Sequence, residues 1–478
     1  MMRDMVVLIN LDGTACRSMA RKLRAEHIYC KILPAASTAA DVARQDALGI
    51  ILAGASTGEK AAIPCLDDLV GCGLPVLGMG DAALTLCEGL GGTLGEKARE
   101  PGVVQVRFEG DDPLVEGVEA SERYLPALRC MILSEDRAVA LAKTDDGVIG
   151  FRRLEAPVYG LAFLPEQNDQ EGVELLLNFC RSVCGCTLWW SNKAFLERAQ
   201  EEIERAAGDG EAICALSGGV DSGVCALLGN MALGHRLHCI FVDTGLLRKE
   251  EGDQVMAVFR EQLGLNLQRI NASGEFMAAL RGITDRAQKE RVILRLLRSI
   301  VAREVAARPG VRLLIKGTNY ADALEMGERA DAIDTVACGV RVVEPVRELF
   351  KDEIRRVGEE LQLPASVIGR QPFPSSGLAL RIEGEVTEDA LAVLRDADAI
   401  FSGEVEGDRQ GKRLHQYYAT LSGPANRCCV TLHAVQRTEG SAAVAARLPY
   451  DLLERVTQTV QARQSSVVSV VYDLSPGG

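Results

Sequence analysis

Residues 214–228 read CALSGGVDSGVCALL, an apolar strand that turns through two glycines into an apolar helix. Strand, glycine-rich turn and helix in that order make a phosphate loop. Ser217, Gly218, Gly219 and Ser222 let the backbone close on an anion. The loop N–H groups point inward, and the positive end of the next helix dipole supports the charge. No lysine follows in the spacing GxxxxGK[ST], so the loop is not of the Walker type. A plain strand-to-helix turn without a ligand needs fewer glycines and no Asp221.

The run SGGVDS, Ser217 to Ser222 with Val220 at its centre, resembles the pyrophosphate loop of the ATP pyrophosphatases. Those enzymes release pyrophosphate and leave AMP on a substrate. The resemblance implies ATP and Mg2+ as ligands, with Asp221 in a catalytic position.

The rest of the composition narrows the class. A length of 478 residues allows two to four domains, each with its own core. A net charge of -14 offers no basic stripe for nucleic acid. The 15 cysteines lie scattered through apolar segments, which reads as reduced core thiols and a cytoplasmic protein. No run reaches the ~18 apolar residues of a membrane span, and no targeting signal precedes the first strand.

In residues 1–190, short apolar strands at Met5–Asn10, Gly49–Ala53 and Pro75–Leu77 alternate with helical patterns such as Ser18–Glu26, as in a parallel α/β sheet. IYCKILP, GIILAG, PVLGM and GLGGTLGE resemble a class I glutamine amidotransferase domain. That family places a cysteine in a sharp G-I-C-Y-G turn, where this chain has Gly80 in the run Gly78 to Ala82. The partner histidine of F-H-P-E is replaced by Leu164, between Phe163 and Pro165, and Glu166 is left without an imidazole to orient. No histidine occurs between His27 and His235, so nucleophile and base are both missing. The oxyanion stretch is replaced by Ala53, Gly54, Ala55 and Ser56. Cys184 and Cys186 form a single CxC, which is poor zinc spacing.

From residue 191 onward the order of HCIFVDTGLLRKEEGDQVM, FMAALRGITDRAQKERVI, EPVRELFKDEIRRVGEELQLP and RQPFPSSGLALR resembles the GMP synthase family. Asp243 ends the second strand, where it can meet a nucleoside or cap a turn. Gly317 and Thr318, after Lys316, match a small-residue loop that the family sets beside ATP. Lys351 is a lysine the family uses near the nucleotide, although it can equally form a salt-bridged helix surface. Arg291, Arg295 and Arg298 read as a solvated helix face.

The resemblance implies two consecutive doubly wound parallel α/β domains, 1–190 amidotransferase-like and 191–370 ATP pyrophosphatase. A smaller α+β dimerisation-like domain follows at 371–478, with strands introduced by RQPFPSSGLALRIEGEVT. It implies a homodimer that adenylates XMP and aminates it to GMP with ammonia, supplied free or by a separate glutaminase. Two features depart from the family. The stretch Leu324–Arg341 lacks the lysine and histidines of the lid and carries Glu325, Glu328, Asp331 and Asp334 against Arg329, and the tail ends in SPGG without the lysine and glutamate. Gly477 and Gly478 read as an unstructured end. An adenylating enzyme with another acceptor, or a nucleotide-binding regulator, therefore stays open.

Overall fold

The computed structural model describes residues 4–96, 100–164, 170–326, 339–371, 373, 376–408, 414–424, 426–436 and 444–475. The chain forms two compact units, Met1–Phe195 and Leu196–Gly478.

In the first unit, strands Cys30–Pro34, Val6–Asn10, Gly49–Ala53, Val76–Met79 and Val158–Leu161 lie side by side, all parallel. Val6–Ile9 and Gly49–Ala53 are buried throughout, as unbroken apolar runs in a covered parallel sheet must be. Past Val158–Leu161 the sheet continues antiparallel through Gly147–Arg153, Ala138–Thr144, Gly102–Phe108 and Ser121–Leu125. This extension is absent from the sequence reading; its two outer strands, Gly102–Phe108 and Ser121–Leu125, alternate buried and exposed residues and offer no unbroken apolar run. The first helix runs Gly13–Ala25, a turn earlier than its apolar pattern suggests. Asp12 starts it by accepting the N–H groups of Thr14 and Ala15 at 3.1 and 2.8 Å. Trp189 and Trp190 are structural: Trp189 donates to the Asp4 carbonyl at 2.8 Å, and Trp190 stacks on Tyr29 at 4.5 Å. Burial pushes the Cys186 thiol up to about 12.

The second unit opens on a five-stranded parallel sheet ordered Leu267–Asn271, Leu237–Asp243, Glu211–Ala215, Val311–Ile315, Arg341–Val343. The chain starts at the centre, builds outward on one side, then returns to build the other. The order therefore reverses between Glu211–Ala215 and Val311–Ile315, and ligands of such sheets bind beyond the strand ends at that point. The loops starting at Leu216 and Lys316 leave from there.

A second sheet pairs Gln416–Ser422 antiparallel with Cys428–Gln436, which also pairs parallel with Val467–Tyr472. Helices Glu388–Gly407 and Tyr450–Arg463 bury Phe401, Val405, Leu452 and Val456 in a core that continues into Phe276, Ile293 and Ile300. The expectation of strands in RQPFPSSGLALRIEGEVT is corrected. Gly377–Arg381 is a 3-10 turn, and among the described residues of the stretch only Ile382 makes a bridge, an isolated one to Leu421. Gly377 sits at φ +63°, outside strand geometry. Buried Lys289 takes the carbonyls of Ala379 and Ile382 at 3.4 and 2.7 Å, replacing a strand partner.

Among the described residues the cysteines are free, no three metal-binding side chains cluster, and no helix is long and apolar enough to cross a membrane.

Candidate active site

The phosphate loop is held by its own hydroxyls. The Ser217 N–H donates to Ser222 Oγ at 3.1 Å, the two hydroxyls lie 3.0 Å apart, and Ser222 Oγ donates to the Gly219 carbonyl at 3.1 Å. These bonds bend the chain around an interior that Gly218, at φ +85°, lets it reach. Helix Val220–Leu233 begins there with Gly219 as its cap and no side chain on its first N–H groups. Those uncapped donors carry the positive end of the helix dipole. Val220 is buried and closes the first turn from behind.

Gly317 packs onto this turn so closely that a Cβ would lie 2.6 Å from the Ser222 nitrogen. Thr318 is buried and donates to Glu344, which also pairs with Arg347 and, at 3.6 Å, with Lys316. Asp221, in the first turn of the helix, accepts from Lys351 Nζ at 2.5 Å and from Asn319 Nδ2 at 3.4 Å. Lys351 opens helix Lys351–Glu360, so Asp221 and Lys351, both expected near the nucleotide, meet across 130 residues of sequence. The other oxygen, Asp221 Oδ1, is buried and has no hydrogen-bond partner among the described residues. An orphaned carboxylate oxygen beside uncapped N–H groups suits a hard divalent cation on bound phosphates.

Asp243 does not join this group. Its Oδ1 accepts the Gly245 N–H at 3.0 Å and its Oδ2 takes Arg269 Nε at 2.9 Å. It is thus both a turn cap and an ion-pair partner. The charges of the Leu324–Arg341 stretch at Glu328, Arg329, Asp331 and Asp334 lie outside the described residues, as do Glu166, Gly477 and Gly478. Sequence reasoning passed over Asn319, Glu344, Glu251 and Arg370. Asn319 alone left a signal, an Asn directly before helix Tyr320–Met326, where its Oδ1 accepts the Ala321 N–H at 2.8 Å.

In the first unit a sharp strand-to-helix turn stands where an amidotransferase carries its cysteine, with Gly80 at that position. Gly80 follows strand Val76–Met79 at φ +59°, ψ -129° and leads into helix Asp81–Gly89. A Cβ at Gly80 would lie 1.9 Å from the Ala55 carbonyl oxygen. That carbonyl accepts the Asp81 N–H at 2.7 Å, so the donor that would face an oxyanion is occupied. The buried Asp81 carboxylate accepts from the Thr57 hydroxyl at 2.7 Å and from the N–H groups of Thr57 and Gly58 at 3.0 and 3.1 Å. Leu164 is buried.

Residues 193–416 match the family model described as NAD synthase. Over its full length the chain is similar to proteins named GMP synthase [glutamine-hydrolyzing]. The relative from Acetivibrio thermocellus is 34% identical over 99% of this chain and 98% of its own. The relative from Clostridium perfringens is 34% identical over the same shares. With a glycine-rich loop at the switch point, and 34% identity over 99% of its length to these relatives, the chain belongs to the GMP synthase family.

Proposed function

We propose that the second unit is an AMP-forming ATP pyrophosphatase that activates a purine-like acceptor, XMP first among them. It then aminates the acceptor with ammonia that the first unit does not make. The domain division 1–190, 191–370, 371–478 and a homodimeric assembly belong to the same reading. The observation that carries it is the phosphate loop with Gly317 against its back and Asp221 Oδ1 left without a partner.

In this reading the C2 oxygen of XMP attacks the α-phosphorus of ATP, the bond to the β-phosphate oxygen breaks, and pyrophosphate leaves. Ammonia then adds at C2, AMP departs, and the nitrogen loses its extra protons to give the amine of GMP. A magnesium ion, when bound, neutralises charge on the phosphates. Asp221 is the side chain that would hold it. The N–H groups of the loop and the dipole of helix Val220–Leu233 meet the departing pyrophosphate, stabilising charge where it accumulates. Lys351, which pairs with Asp221, is the side chain that would neutralise charge on the same phosphates.

Lys351→Ala is expected to lower kcat/KM for AMP release by about 10- to 100-fold, the cost of one charge-assisted hydrogen bond. Stability changes little, because the Lys351 side chain is 43% exposed. An unchanged rate would mean that the lysine only neutralises Asp221.

A second reading, another acceptor in place of XMP, is favoured by the commitment of Arg347 and Lys316 to Glu344. These cations are not free to replace the family's missing lysines at a nucleotide phosphate. Full-length protein with ATP, magnesium and ammonium, screened over purine nucleotides for AMP, separates the readings. XMP should give the fastest release, and glutamine should not substitute for ammonium. Faster release with a different purine nucleotide would move the assignment to that acceptor. Glutamate formed from glutamine above a heat-killed control would return the first unit to catalysis.

A further inference from the structure

Arg370 lies outside the phosphate loop, yet its Nη1 donates to the Gly218 carbonyl at 3.0 Å. Its Nη2 donates to Glu251, which is buried and whose other oxygen accepts the Arg248 N–H at 2.7 Å. The guanidinium is therefore fixed at one end and holds a single backbone oxygen at the other. That oxygen belongs to the peptide between Gly218 and Gly219, where both flanking residues are glycines. Besides Arg370, the peptide is held only by the long bond from its Gly219 N–H to Ser217 Oγ at 3.4 Å, and with no Cβ on either flanking residue a half-turn would break little else. In one orientation, the Gly219 N–H faces the anion. In the other, the Gly218 carbonyl oxygen would face it and repel phosphate.

We propose that Arg370, positioned by Glu251, locks the Gly218–Gly219 peptide with its carbonyl turned away and so keeps the loop in its anion-accepting form. Arg370 is a positioning residue that acts through the backbone, and the inference rests on the phosphate-loop reading above. The side chain fits closely enough to enforce one orientation. A Cβ at Gly218 would lie 3.0 Å from Arg370 Nη1 and 2.4 Å from Val255 Cγ2. Glu251 balances the arginine, so the lock adds no net charge to the site.

Two variants test this: Arg370→Lys, which keeps a cation beside Glu251 but cannot span both partners, and Arg370→Met with Glu251→Met, which leaves no buried charge unpaired. The full chain is titrated with ATP, inorganic pyrophosphate and adenosine by calorimetry. In both variants the Kd for ATP and pyrophosphate should rise at least 10-fold, while that for adenosine stays within about twofold. A parallel loss of adenosine binding would mark a merely structural role and overturn the proposal, as would unchanged pyrophosphate affinity. Failure of the wild-type chain to bind pyrophosphate or ATP would instead refute the phosphate-loop reading itself. The double variant keeps the test open if Arg370→Lys does not fold.

Discussion

Gly317→Ala is expected to weaken ATP binding at least 100-fold while leaving the protein folded. The added Cβ would sit 2.6 Å from the Ser222 nitrogen, 2.8 Å from its Cα and 2.9 Å from the Asp221 carbonyl carbon. All three are backbone atoms of the helix start, so no flexible side chain can yield. Relief requires the phosphate loop and the end of strand Val311–Ile315 to part by several tenths of an ångström. That movement carries Ser222, whose hydroxyl ties Ser217 to Gly219, and misaligns the N–H groups together. Displacements of this order at a preorganised site cost about 100-fold, or about 2.7 kcal/mol. Gly274→Ala is the matched control, since nothing lies within 4 Å of a Cβ there. Calorimetric ATP affinity should fall in the first variant and hold in the second. Equal affinity in both would mean that the loop is not the binding element.

The second large effect concerns the first unit. Gly80→Cys, alone or with Leu164→His, is expected to restore no glutaminase and to destabilise the protein by about 2 to 5 kcal/mol. Two costs add. Gly80 holds a positive φ that penalises any Cβ, and that Cβ would fall 1.9 Å from the Ala55 carbonyl oxygen. The loop carrying Ala55 cannot withdraw freely, because Asp81 grips Thr57 and Gly58 from the start of the helix. The place of a nucleophile has been filled by backbone, not merely vacated. Urea unfolding gives the stability change, and glutamate release from glutamine gives the activity. Measurable glutaminase in the double variant would show that the loop opens at little cost.

What could be read from residues alone follows from where the signals are local. The loop Ser217–Ser222, the helix Asn192–Ala207 and the strand Gly49–Ala53 each carry their pattern within a few residues, and each lies where the pattern places it. The absence of Cys and His from the amidotransferase-like turn was equally plain. The filling of that turn by the Ala55 carbonyl was not, since a backbone oxygen 25 residues away has no sequence signature. The sequence points to Lys351 and Asp221 separately, yet their pairing depends on helices Val220–Leu233 and Lys351–Glu360 packing side by side, which periodicity does not give. Glu251 and Arg370 were missed for the same reason. Each sits in a charged or polar run that reads as surface, and only the fold brings them to Gly218. At Gly377–Arg381 the apolar pattern suggests a strand, whereas Gly377 holds a positive φ and the Ala379 carbonyl is taken by Lys289, 90 residues earlier.

The adenylation step can be followed by its oxygen. XMP labelled with 18O at the C2 oxygen, supplied with ATP, magnesium and ammonium, should yield AMP carrying one 18O in its phosphate and an equal amount of GMP. Attack of that oxygen on the α-phosphorus, followed by displacement at C2, transfers the atom. Unlabelled AMP would contradict the account, because the acceptor oxygen would then not have bonded to the α-phosphorus, and ADP in place of AMP would contradict it, because the γ-phosphoryl group would then have been transferred.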